Sequence, residues 1–129
     1  MKKTARSILA VVIGYLAMVV LITLAQETLL GGVSFQRSSL TTLAVGGALT
    51  FCAAVVGGLV AGWIAGRKPL WHGAVMCVMV AVETTALLIR GVFEGPLWFD
   101  LMASASLMVG ILAGAWWIGR RSARPELAR

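Results

Sequence analysis

Four long stretches of this chain carry almost no charge, and that constrains the fold more than any other feature. They run over residues 7–25, 43–66, 73–89 and 97–118, and the only charged residue types inside them are Glu83 and Asp100. A helix rises 1.5 Å per residue, so roughly 20 apolar residues cross a hydrocarbon layer about 30 Å thick. Inside that layer every backbone N–H and C=O needs a partner, which a helix supplies within one segment. Composition agrees, since 60% of the 129 residues are hydrophobic and 12% charged. Soluble domains hold about 45–50% and about 25%. The expected fold class is an all-α integral membrane protein: one domain over 1–129, four transmembrane helices in a compact bundle, and a cytoplasmic tail at 119–129. The links at 26–42, 67–72 and 90–96 leave no room for a separate soluble domain.

Lysine and arginine placement sets an expected orientation. Lys2, Lys3, Arg6, Arg67, Lys68, Arg120, Arg121, Arg124 and Arg129 fall on one side of the four spans, and only Arg37 and Arg90 on the other. Both termini and the middle link are therefore expected in the cytoplasm. The net charge of +6 then reads as a positive-inside signature, and the implied partner on that side is a bilayer with anionic headgroups. Thin basic strips beside a membrane do not make a nucleic-acid interface, so no nucleic-acid partner is expected. The first span also has features of a signal peptide, with a basic start and a Thr23-Leu24-Ala25 ending. Its apolar core exceeds the 7–15 residues usual for such segments, so retention as a span is expected.

Small residues indicate how the helices meet. Gly46, Thr50, Ala54, Gly58, Gly62 and Gly66 recur every four residues along the second span, and Ser106, Gly110 and Gly114 do so in the fourth. Such faces let backbones approach closely, which drives association where the hydrophobic effect cannot. Packing of the second span on the fourth, or across an oligomer interface, is expected. GLVAGWIAGRK at 58–68 also echoes GILAGAWWIGRR at 110–121, the pattern two hairpins related by an axis along the membrane normal would give. Trp63, Trp71, Trp98, Trp116 and Trp117 fall near span ends and read as interfacial anchors. Met76, Met79, Met102 and Met108 read as packing filler.

The segment VMVAVETTALLIR, residues 78–90, places Glu83 inside a span. It stands seven residues before Arg90, about 10 Å below the outer end of its helix. A charge at that depth is expensive and marks function or pairing. Counting inward to the same depth on the other spans reaches Thr23, the stretch around Thr50, and Ser104, so a buried Glu83 hydrogen-bonded to Thr23 or Ser104 is expected. One reading is a carboxyl group that binds helices together; the other is a proton-coupling acid in a carrier. Glu27, Glu94 and Asp100 with Arg37 and Arg90 read as a polar outer rim, and Asp100 near a helix start complements its dipole.

His72 is the single histidine. In the turn RKPLWHG it is expected in the headgroup layer, where it could serve as a ligand only across a dimer or within a pigment assembly. One His makes no metal site or haem axial pair alone. Cys52 and Cys77 lie at depths that differ by about 15 Å at helical rise, too far for a disulfide. No phosphate-cradling loop, zinc-binding pair or nucleophile elbow occurs. No enzyme activity, catalytic residue, metal or cofactor is expected.

Two families of four-span proteins near this length do not fit. Small multidrug-resistance exporters carry their essential glutamate in the first span, whereas here that span has no acid before Glu27. Fluoride channels carry a Thr/Phe/Ser-rich signature that this chain lacks. The pattern GGLVAGWIAGRKPLWHG at 57–73, followed by a third span, PLWF at 96–99 and a Gly-rich fourth span, resembles a group of small, uncharacterised four-span bacterial proteins. That resemblance implies a bacterial inner-membrane location and no activity. The expected function is an interaction protein, an accessory or assembly subunit among other membrane subunits, or a self-associating oligomer. The alternative is a small homodimeric proton-coupled carrier or channel using Glu83.

Overall fold

A computed structural model of the chain describes residues 2–34, 36–93 and 95–123. Four helices account for nearly all of these: α1 Lys2–Thr23, α2 Leu40–Ala65, α3 Pro69–Ile89 and α4 Leu97–Ala123. α1 continues directly into a π-helical segment, Leu24–Leu29. All four are long and apolar enough to cross a membrane.

Local chemistry explains the ends. Ser39 lies in extended backbone before α2, and its hydroxyl accepts from the Thr42 N–H, satisfying one of the orphan donors of the first turn. Gly66 closes α2 in the left-handed region at φ 66, with its N–H donating to the Gly62 carbonyl, which a glycine does without steric penalty. Lys68 is also left-handed, at φ 49, and Pro69 opens α3, where its missing N–H is not needed.

These ends lie outside the boundaries expected from apolarity. α2 opens at Leu40 rather than residue 43, and α3 at Pro69 rather than Gly73. α4 carries residues 119–123, so the expected tail is helical that far. Helix extension adds one hydrogen bond for each residue fixed, so helices continue past the hydrocarbon edge until a cap or breaker stops them. Arg124 and Arg129 lie outside the described residues, as does the side chain of Lys2.

α2 is the centre of the bundle. It packs extensively on α1 and on α4, while α3 packs on α4 and more lightly on α2. α1 and α3 touch in few places, and α1 does not reach α4. Two small-residue faces of α2 make this possible. Ala54, Gly58 and Gly62 face α4, where a Cβ on Gly58 would lie 2.1 Å from the Ile111 carbonyl oxygen. Reciprocally, a Cβ on Gly114 would lie 2.2 Å from the Val55 carbonyl oxygen, and Gly110 lies against Ala54 and Phe51. On the other face, Gly57 and Ala61 meet Gly14 and Met18 of α1. Val11, Met18, Ala54, Ala61, Met76, Val80 and Ile111 form the buried core between these faces.

The echo between the two hairpins does not become a symmetry axis. Its equivalent residues Gly58 and Gly110 each meet other partners, Ile111 and Ala54 respectively. A two-fold relation would also make α2–α3 and α1–α4 equivalent, yet only the first pair is in contact.

The start of α1, the α2–α3 turn and the end of α4 gather at one end of the bundle. There the Arg6 Nε donates to the Ile64 carbonyl at 2.7 Å, and Gly62 and Gly119 lie against Pro69. That end holds Lys3, Arg6, Arg67, Lys68, Arg120 and Arg121, whereas Arg37, in the turn before α2, and Arg90, at the end of α3, stand on the opposite side.

Candidate functional site

Glu83 does not bond to Thr23 or Ser104. Its Oε2 accepts from the Tyr15 hydroxyl across the sparse α1–α3 contact, with Tyr15 half-buried against the core and Glu83 exposed on the flank of the bundle. The expectation of a buried acid is corrected with it, because Glu83 faces outward on the isolated chain. The neighbouring residue takes the inward direction instead: the Thr84 and Ser104 hydroxyls lie 3.1 Å apart between α3 and α4. Successive residues on a helix differ by about 100°, so one of the two had to turn away from α4. Thr23 is exposed. Thr85 donates to the carbonyl of Ala81 on its own helix at 2.7 Å, the back-bonding common for a threonine with no cross-helix partner.

The small-residue stripe of α2 serves several neighbours rather than one. Gly46 lies against Leu30 and Val33, and Thr50 accepts from Gln26 Nε2 at 3.1 Å. Ala54, Gly58 and Gly62 face α4, with Gly62 also touching Pro69, and Gly66 lies against the Arg6 guanidinium. On α4, Gly110 and Gly114 approach α2 closely, while Ser106 is half-buried. The drift follows from a four-residue spacing on a helix of 3.6 residues per turn, which rotates the stripe by about 40° at each step.

At the basic end, α1, the α2–α3 turn and α3 line a cleft of about 1030 Å³. Lys3, Arg6, Arg67 and Lys68 stand at its mouth, and Val11, Val12, Val75 and Met79 form its inner walls. His72 lines it too, but not in the way expected: its side chain is buried, at 7% exposure. Nδ1 sits 3.1 Å from the Lys68 carbonyl, and a carbonyl only accepts, so Nδ1 carries the proton in that bond. The left-handed Lys68 opens the first turn of α3 with its carbonyl shared between the Trp71 N–H and the His72 ring, which draws the ring inward.

The tryptophans Trp63, Trp71, Trp98, Trp116 and Trp117 are exposed on the outside of the bundle. The Arg120 guanidinium lies 4.6 Å from the Trp116 ring centroid and that of Arg121 5.4 Å from Trp117, so cation and ring share the end of α4. Met76 is fully buried, and Met79 and Met102 are exposed. Cys52 and Cys77 are free thiols, the latter directed at the Met108 carbonyl at 3.6 Å. On the outer rim Glu27 belongs to the π-helical segment, and Asp100 has Oδ2 buried without a hydrogen-bond partner. Glu94 lies outside the described residues. Among the described residues, no three His, Cys, Asp or Glu side chains are grouped to hold a metal ion.

Sequence reasoning missed Tyr15, Gln26 and the Gly14–Gly57–Ala61 contact. Tyr15 had a signal: it stands 13 residues from the start of α1, and Glu83 stands 14 from the start of α3. Both helices start at the basic end, so counting from there brings the two together. Comparison with protein-family models, curated proteins and solved structures found no match to this chain.

Proposed function

We propose that this chain is a small integral membrane interaction protein, an accessory or assembly subunit or a self-associating one, that covers its Glu83 flank with another helix. One observation carries the reading: Glu83 lies on the outside of the four-helix unit, six residues before the end of α3, about 9 Å inside its outer end. An acid facing lipid there is costly, and such residues nearly always face protein or water. A neighbouring helix that donates to the free oxygen of Glu83, beside the one bonded to Tyr15, removes that penalty. The small-residue faces are consumed inside the bundle by α1 and α4, so the polar pair is the feature left to recognise a partner. In this reading the basic end faces the cytoplasm of a bacterial cell, with both termini inside, by the positive-inside rule.

Photo-crosslinking in the native membrane tests it. A photoreactive side chain at Val82, 64% exposed beside Glu83, is expected to capture a second polypeptide. Capture of lipid alone refutes the reading. The carrier alternative gains one specific support, since Tyr15 supplies the second titratable group that a proton relay needs. It requires Glu83→Gln to abolish proton-coupled flux in reconstituted vesicles, whereas an interaction role survives that change.

A further inference from the structure

We infer that the cleft between the basic ends of α1 and α3 is a binding site for one anionic phospholipid. General attraction of basic strips to charged membranes needs no cavity. Here four cations from three segments converge on one: Lys3 and Arg6 from α1, Arg67 from the turn, and Lys68 from the edge of α3. Two of them are held in place. Arg6 spends its Nε on the Ile64 carbonyl, which fixes the guanidinium and leaves its terminal N–H groups for a phosphate. Lys68 is set by a left-handed backbone at φ 49 immediately before a proline, a conformation a non-glycine residue adopts only against steric resistance.

Behind the cations the walls become apolar, with Val11 and Val12 on one side and Val75 and Met79 on the other. One turn further along both helices, beyond the cleft, the Tyr15–Glu83 bond joins α1 to α3. Lys3 to Val12 spans nine residues, or about 14 Å of rise. A phosphate at the mouth therefore leaves room for the glycerol ester and the upper part of an acyl chain beneath it. A free phosphate compound would leave the apolar walls unused. Glu83 stands 15 residues from Lys68, about 22 Å, too far to oppose an anionic headgroup.

This inference goes beyond the interaction reading and shares with it only the membrane environment. The test uses the intact chain in nanodiscs of phosphatidylcholine with one-fifth phosphatidylglycerol, followed by native mass spectrometry of the released protein. One phosphatidylglycerol is expected to be retained in preference to phosphatidylcholine. Arg67→Gln with Lys68→Gln should lower that retention about 30-fold, at roughly fivefold per cation. Val12→Trp with Val75→Trp fills the slot without altering charge, and it should also abolish retention. Helicity and elution volume check the fold of both variants. On the unaltered protein, a phosphatidylglycerol carrying a photoreactive acyl chain should label α1 and α3 between residues 11 and 12 and between 75 and 79. Soluble glycerol phosphate should not displace it. Equal retention of both lipids, undiminished retention in the filled variant, label spread over other faces, or displacement by glycerol phosphate would each overturn the assignment.

Discussion

Replacing Gly58 by alanine exchanges one hydrogen for a methyl group, yet the structure gives that carbon no place. An ideal Cβ would lie 2.1 Å from the Ile111 carbonyl oxygen and 2.9 Å from its carbonyl carbon. Restoring ordinary contact requires α2 and α4 to part by about 1 Å, and both are rigid backbones. The loss follows from what that gap does to Ile111, which is fully buried. A buried side chain of this size makes about 40–60 contacts of ~0.1–0.2 kcal/mol, and a gap of 0.5–1 Å forfeits a quarter to a half of each. If half of those contacts face α2, the expected destabilisation is about 1–2 kcal/mol, consistent with the 1–3 kcal/mol typical of overpacking. Detergent-driven unfolding in mixed micelles, followed by tryptophan fluorescence, measures it. Gly47→Ala is the internal control, because nothing lies within 4 Å of its Cβ position, and it should leave stability unchanged or raise it slightly. Gly58→Ala with Gly114→Ala should fall short of the sum of the two single effects, since one displacement of α4 relieves both clashes. Equal stability of Gly58→Ala and Gly47→Ala would refute the close backbone contact.

Other outcomes follow from particular contacts. Glu83→Gln keeps one side-chain oxygen, whose two lone pairs can accept from both the Tyr15 hydroxyl and a partner donor, and should retain association, whereas Glu83→Leu should lose it; co-purification of the crosslinked partner reads both. A double-mutant cycle of Thr84→Val and Ser104→Ala should give a coupling of about 0.6 kcal/mol, the usual size for interhelical hydrogen bonds in membranes, by the same unfolding assay. Lys68→Gly removes the strain of a left-handed lysine and should raise stability by about 1 kcal/mol while weakening phosphatidylglycerol retention, so that stability and lipid binding move in opposite directions.

The sequence made the number of spans readable because each apolar run is long and nearly free of charge. It made the approach of α2 to α4 readable because glycine every four residues leaves a groove on one face. The second groove, formed by Ala53, Gly57, Ala61 and Ala65, has the same spacing and is shifted by a single residue. Its partner on α1 is marked only by Ala10 and Gly14, too short a pattern to stand out. Side-chain pairing was harder to read for a geometric reason. Depth counted down upright helices placed Glu83 beside Thr23, yet its partner is Tyr15, eight residues away or about 12 Å along α1. Membrane helices tilt and cross at angles, so equal counts from the outer ends do not mean equal heights. The inward turn of His72 depended on the left-handed Lys68, a backbone choice that no composition or periodicity encodes.

The central claim is that the Glu83 flank is covered by another polypeptide in the native membrane. Its most direct test is the mass of the particle extracted gently from that membrane at natural abundance. A particle well above the 13.6 kDa of one chain, after subtraction of bound lipid and detergent, that dissociates when Glu83 is replaced by leucine is the expected result. A single chain accompanied only by lipid would contradict it.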